Sequence, residues 1–138
     1  MVKTLSPPDV LLFHVGSNDL TSDTSAISFA NTIQCTLYRY NALWPKTTLV
    51  WSSVLARRYW HHVALRDGPK INKKRQRLNR AMKKFMSTEV QGFYIDHDQD
   101  ISYSDIQLFR QDGTHLSPLG NQVFLNNLQT GLLSCLTK

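Results

Sequence analysis

Two short polar motifs near opposite ends of the chain carry side chains that could do acid–base chemistry. Asp112 and His115 are separated by two residues on a predicted turn, so the carboxylate can accept a hydrogen bond from the imidazole Nδ1. Such a pair fixes the tautomer of the histidine and leaves Nε2 able to take a proton from a nucleophile. The alternative is a capping interaction before the helix that starts near Ser117, and the pair alone would favour that alternative.

The other motif is Gly16-Ser17-Asn18-Asp19, which follows a strand-like apolar run. The uncharged amide of Asn18 can donate a hydrogen bond to a developing oxyanion, and Gly16 permits a tight turn at the end of the strand. Asp19 is expected to tie down the loop rather than to react. Taken alone, this motif is typical of an ordinary polar turn.

The segments that must position these motifs alternate between the hydrophobic patterns of strands and those of helices. The pattern predicts strands at residues 9–15, 47–53 and 90–95, helices at about 26–44 and 70–87, then a polar loop and a last helix after Ser117. Strands that alternate with helices predict one α/β domain over residues 1–138, with a parallel sheet between helices. In such sheets ligands bind at the carboxyl ends of the strands, so both motifs are predicted at the same rim.

Together and in this order, the motifs resemble those of the SGNH hydrolases, also called GDSL-type esterases. Gly16 to Asp19 looks like the family's Gly-x-Asn-Asp block, whose Asn is an oxyanion-hole donor. Asp112 to His115 looks like its Asp-x-x-His block, which supplies two members of a Ser-His-Asp triad. The resemblance runs from about Pro8 to about Leu128 and is closest to SGNH-type domains in open reading frames of vertebrate retroelements. It implies a three-layer α/β/α, flavodoxin-like fold and hydrolysis of carboxylic esters without an organic cofactor or a metal.

The chain departs from the family pattern at the nucleophile. The family's Gly-Asp-Ser block and a glycine oxyanion donor both precede Gly-x-Asn-Asp, whereas the residues before Gly16 include no glycine. We therefore expect an N-terminally incomplete domain that lacks the family's first two strands and is inactive as given. Ser17 falls at a variable position of its block and Ser117 at a natural N-cap, so the nucleophile stays unknown. Strand 9–15 would then be an exposed edge, open to an upstream segment or to a second copy of the chain.

The charge distribution supports a different interpretation. The net charge is +6, and nine of the sixteen Lys and Arg residues lie between residues 66 and 84, with only Asp67 against them. The basic helix 70–84 could bind nucleic acid or anionic lipid in a non-catalytic pseudo-esterase, or it could be a solvated helix face. The candidate anion-binding residues are Lys73, Lys74, Arg75 and Arg77.

The remaining features indicate no metal centre and no secreted or membrane-spanning protein. Cys35 and Cys135 lack metal-ligand spacing, and Asp96-His97-Asp98 offers too few ligands, so no metal is assigned. We expect no signal peptide, because no charged-then-apolar pattern stands at the N-terminus, and no bilayer-spanning segment, because no apolar run is long enough. We therefore expect an intracellular protein, cytoplasmic or nuclear. His14, in the first strand, is expected to be a packing residue.

Overall fold

The computed structural model describes residues 6–61 and 63–137. Its strands and long helices are β1 (Val10–Phe13), α1 (Ala26–Leu43), β2 (Thr48–Ser52), α2 (Gly68–Thr88), β3 (Gly92–Ile95) and α3 (Pro118–Leu136). Single 3-10 turns lie at Ser17–Asp19, Leu65–Asp67 and Ile106–Leu108. This order confirms the predicted alternation of strands and helices.

The three strands form one parallel sheet in the order β1-β2-β3. Phe13 lies opposite Trp51, and Ser52 lies opposite Ile95. In β2 every residue after Thr48 is buried, because this central strand is covered on both faces and both edges. In the part of the chain that the structure describes, β1 pairs only with β2, so the open edge expected at the first strand is present.

Helices cover both faces of the sheet. The face with Leu49 and Trp51 packs against α1 and α2 in the largest cluster of buried side chains. The opposite face, with Val50 and Ile95, packs against α3. This three-layer α/β/α arrangement confirms the predicted fold class. The segment predicted as a polar loop before α3 contains more core than expected, because Leu108 and Phe109 are buried there.

Local sequence signals set the ends of the helices. The Ser25 hydroxyl accepts a hydrogen bond from the Ser28 N–H at the start of α1, and Pro45 follows its end. The Ser117 hydroxyl caps α3, with Pro118 at its first position. Among the described residues, none of these helices is long and apolar enough to cross a membrane.

Candidate functional site

The Asp112 carboxylate and the His115 imidazole are directly hydrogen-bonded. His115 Nδ1 donates to Asp112 Oδ2 over 2.5 Å, and the backbone N–H groups of Thr114 and His115 donate to Oδ1 over 2.9 Å. These hydrogen bonds, that of the His115 side chain first, hold the pKa of Asp112 well below its usual range. The carboxylate therefore stays ionised and fixes the imidazole. No other described residue hydrogen-bonds the imidazole, and its side chain is 69% exposed, so Nε2 is open to a reactant.

The turn that carries this pair is docked on the β2–α2 loop. Gly113 has a φ of 70°, a left-handed conformation that favours glycine. Its carbonyl oxygen accepts hydrogen bonds from the backbone N–H groups of Arg58 (2.8 Å) and Tyr59 (2.9 Å). The Thr114 hydroxyl donates to the Tyr59 carbonyl. The position of the acid–base pair thus depends on a loop more than fifty residues earlier in the chain.

The Asn18 side chain is oriented by Arg57. Arg57 Nη2 donates to Asn18 Oδ1 over 2.9 Å and to Ser17 Oγ over 2.8 Å. Because a guanidinium can only donate, the amide oxygen of Asn18 must face it and the Nδ2 group must point elsewhere. The amide is exposed, and Nδ2 has no hydrogen-bond partner among the described residues. It is therefore available as a donor.

Gly16 and Asp19 shape the loop around Asn18. Gly16 has a φ of 110°, and its carbonyl oxygen accepts from the Asp19 N–H. The Asp19 carbonyl accepts from the Thr24 hydroxyl over 2.8 Å. Asp19 thus joins the loop through its backbone, and its carboxylate makes no hydrogen bond to the rest of the described chain.

One loop connects the two motifs, because Arg57 contacts the first and Arg58 and Tyr59 contact the second. Ser17 and Thr114 line a shared cavity of about 90 Å³, together with Arg57 and His14. The structure therefore brings both predicted motifs to the carboxyl ends of the strands, on one rim. The catalytic roles of Asp112, His115 and Asn18 stay predictions.

Buried polar side chains of α2 anchor this loop. Asn79 donates to the Val54 carbonyl and accepts from the Val54 N–H, and Asn72 Nδ2 donates to the Arg57 carbonyl over 2.9 Å. Arg75 Nη1 also donates to the Val54 carbonyl and forms an ion pair with Asp98 Oδ1 at 2.5 Å. The inner face of α2 thus fixes the backbone from which Arg57 reaches Asn18.

Arg75 is not part of the predicted anion-binding surface. Its side chain is 2% exposed, because position 75 lies on the same helix face as Ile71 and Leu78. Lys74 is partly engaged, since its Nζ donates to the Thr21 and Ser22 carbonyls. Lys73 and Arg77 are exposed.

Neither candidate serine meets the base. Ser17 Oγ accepts a hydrogen bond from Arg57, and Ser117 Oγ accepts from the Gly120 N–H while donating to the Gln107 carbonyl. In the described ranges, no serine hydroxyl hydrogen-bonds His115. The nucleophile therefore stays unassigned within these residues.

A row of polar side chains, which the sequence did not reveal, crosses the ends of the strands beneath α3. Ser52 Oγ lies 2.7 Å from His97 Nε2 and 2.8 Å from His14 Nδ1, and Asn127 Nδ2 lies 3.3 Å from His97 Nδ1. Burial and then the neighbouring His14 lower the pKa of His97 to about 4. Desolvation also lowers the pKa of His14. The His14 ring packs on Phe124, as expected, but the residue is exposed at the surface. Ser52, which links the two histidines, is fully buried.

The Asp96-His97-Asp98 segment does not converge on one point. His97 turns to Ser52, Asp98 pairs with Arg75, and Asp96 Oδ1 accepts from the Asp98 N–H. In the described parts of the chain, no group of three metal-ligating side chains is placed to hold an ion.

Comparisons with known proteins identify the fold. No protein-family model matches the chain, and no curated protein matches its sequence. Solved structures do match. A serine-to-alanine mutant of an acetyl esterase, determined with an acetate ion, aligns with a TM-score of 0.72 at 16% identity, covering 94% of this chain and 59% of that chain. A family 3 carbohydrate esterase from Talaromyces cellulolyticus aligns with a TM-score of 0.70 at 16% identity over the same shares of the two chains.

A second family 3 carbohydrate esterase, from Clostridium thermocellum, aligns with a TM-score of 0.69 at 16% identity, covering 94% of this chain and 58% of that chain. The chain has a partial SGNH hydrolase fold. It spans less than two thirds of the length of the structures that it matches. At 16% identity the likeness to these structures shows the fold alone.

Proposed function

We propose that this chain supplies the acid–base pair and an oxyanion donor of an SGNH-type ester hydrolase. The observation that carries the proposal is the hydrogen bond from His115 Nδ1 to an ionised Asp112, with Nε2 exposed. Asn18 supports it, because its amide is held with the N–H groups available at the same rim. The matched structures named as esterases support the same class of chemistry. We also propose that the chain is most similar to the SGNH-type domains in open reading frames of vertebrate retroelements.

The proposed reaction assigns each group one task. A serine Oγ from a segment outside this sequence attacks the ester carbonyl carbon as its proton passes to His115 Nε2. The tetrahedral oxyanion accepts a hydrogen bond from Asn18, while Asp112 stabilises the imidazolium. The C–O bond to the alcohol breaks, and the departing oxygen takes the proton from Nε2. Water then releases the carboxylic acid by the same steps. No cofactor or metal takes part in this scheme.

The test begins with the codons upstream of Met1. We expect an in-frame Gly-Asp-Ser block there, and an extended protein that hydrolyses p-nitrophenyl acetate. His115→Ala should lower kcat of the extended protein by on the order of 10⁴–10⁶, and Asn18→Ala by on the order of 10²–10³. Arg39→Ala, on the exposed side of α1, serves as the matched control and should leave kcat unchanged.

Two results would contradict the proposal. One is an extended protein whose esterase activity survives His115→Ala. The other is an extended protein that has no serine reactive towards a fluorophosphonate probe and hydrolyses no ester.

A second candidate function, anion binding by α2, rests on the exposed basic stripe of α2, defined as Lys73, Arg77, Arg80 and Lys84. These residues are exposed at steps of four, three and four, so they share one face over roughly 17 Å. None of them pairs with a carboxylate among the described residues. An uncompensated stripe of this kind suits the phosphates of a single-stranded nucleic acid.

Salt dependence tests this second candidate. Four phosphate contacts predict that log K falls with log salt at a slope of about −3 for single strands. Changing the four stripe residues to Gln should abolish the slope, as measured by anisotropy of a labelled oligonucleotide. Binding with an affinity that does not change with salt concentration, or that is unchanged in the four-residue variant, would reject this candidate. Binding to anionic vesicles with no binding to oligonucleotide would assign the stripe to lipid instead.

A further inference from the structure

Arg57 is a half-buried cation with no carboxylate partner in the described part of the chain. Its Nη2 group donates to two neutral oxygens, Ser17 Oγ and Asn18 Oδ1, and its guanidinium carbon lies 4.9 Å from the centre of the Trp60 ring. No described carboxylate oxygen lies within ion-pair distance of its nitrogen atoms. A partly desolvated charge without a counterion is costly, and an incoming anion would offset that cost.

A cavity of about 220 Å³ opens beside this guanidinium. Ser17, Asn18, Arg57 and Trp60 line it, and none of the described residues in its wall is acidic. Its volume admits several groups of the size of a water molecule, at about 30 Å³ each. The cavity therefore has room for a carboxylate or phosphate group.

The wall of this cavity holds several hydrogen-bond donors that the protein leaves unused. A guanidinium has five N–H groups, and the described residues accept only from the two on Nη2 of Arg57. The other N–H groups of Arg57 have no acceptor among the described residues, so they can donate to an oxyanion that enters the cavity.

We propose that this cavity is an anion subsite that holds a carboxylate or phosphate group of the ester substrate. Arg57 supplies the charge and a planar fork that matches such oxyanions, and Trp60 forms the apolar wall behind it. Arg57 touches Asn18 directly, so the bound group lies beside the proposed oxyanion donor. Assigning the anion to an ester substrate rests on the proposed function, whereas binding of the anion does not.

The experiment uses the 138-residue chain and measures binding without catalysis. Acetate and inorganic phosphate are titrated at constant ionic strength while NMR follows the indole N–H signals. The Trp60 signal should shift saturably with a Kd in the millimolar range. The Trp51 indole is the internal control, because the Nε1 atoms of both tryptophans are buried without a partner among the described residues, whereas Trp51 does not line this cavity.

Variants and a neutral ligand decide the source of any shift. Arg57→Gln should weaken binding about tenfold or more, whereas Arg39→Gln, on the exposed side of α1, should leave the Kd unchanged. Acetamide, which has the shape of acetate without its charge, should leave Trp60 unshifted, and this comparison holds even if Arg57→Gln fails to fold. Equal shifts by acetate and acetamide, or no saturable shift by either anion, would overturn the inference.

The two proposals can fail separately. An extended protein that hydrolyses esters, but whose Trp60 indole N–H signal does not shift when anions are added, would overturn the anion subsite alone. Saturable anion binding at Trp60 in a chain whose extended form hydrolyses no ester would overturn the hydrolase proposal alone.

Discussion

Buried His97 should make the protein less stable in acid. Its side chain is 1% exposed, and burial together with His14 lowers its pKa to about 4. The hydrogen-bond pattern requires the neutral ring, because Asn127 Nδ2 can only donate, so His97 Nδ1 must accept. His97 Nε2–H then donates to Ser52 Oγ, whose own proton is left for His14 Nδ1.

The size of the effect follows from the two pKa values. The unfolded chain binds a proton at this histidine with a pKa of about 6.5, and the folded chain does so at about 4. Between these values the unfolded state holds more protons, so stability is full above about pH 6.5 and falls as the pH drops toward about 4. The difference of about 2.5 units corresponds to a loss of about 3 kcal/mol. The lowered pKa of His14 acts in the same direction.

Urea denaturation at a series of pH values measures this loss. His97→Gln keeps a polar side chain but removes the titrating group. Between about pH 7 and about pH 4, the free energy of unfolding of this variant should therefore fall by about 3 kcal/mol less than that of the wild type. Carboxylates titrate in both proteins and cancel in the comparison. Gln99→Ala, which changes an exposed side chain that does not titrate, should keep the wild-type profile. Identical acid sensitivity in His97→Gln and the wild type would refute the reasoning.

Further predictions concern packing and assembly. Arg75→Met should lower the free energy of unfolding by about 3 kcal/mol, because it removes the ion-pair partner of Asp98 and one of the two donors to the buried Val54 carbonyl. Exposed Arg77→Met should change it by about 0.5 kcal/mol or less in urea denaturation. Gly120→Ala would place Cβ 2.1 Å from the Leu108 carbonyl oxygen and should cost about 1–3 kcal/mol; Gly68→Ala, with no atom nearer than 3.9 Å, should be better tolerated in thermal melts. Pairing of two copies through the open edge of β1 should raise the mass with concentration in light scattering, and a constant single-chain mass would exclude it.

The order of elements was predictable because each strand and helix carries its own hydrophobic period. The first strand was predicted too long, since residues 9–15 are almost continuously apolar but the ladder ends where Phe13 lies opposite Trp51. Val15 is 58% exposed, which composition alone does not indicate. Local hydrophobicity therefore located each element, whereas pairing across the sheet set its end.

The acid–base pair was predictable for the same local reason, because Asp112 and His115 lie three residues apart. The contact from Arg57 to Asn18 joins residues 39 apart, and no local pattern encodes it. The burial of Arg75 is encoded locally, because the residue falls on the apolar stripe that includes Ile71 and Leu78. Its position on the helix, rather than its charge, decides that it is buried.

The strand order has a consequence for how the chain assembles. Each strand pairs with the strand before it in sequence, and each pairing is closed by a single helix. Every new strand therefore finds its partner in the most recently synthesised part of the chain, and the search stays short. We expect β2 and then β3 to add to β1 in this order during synthesis. The other edge of β1 takes no part in these steps, so a strand from an upstream segment or from a second copy can pair there without disturbing them.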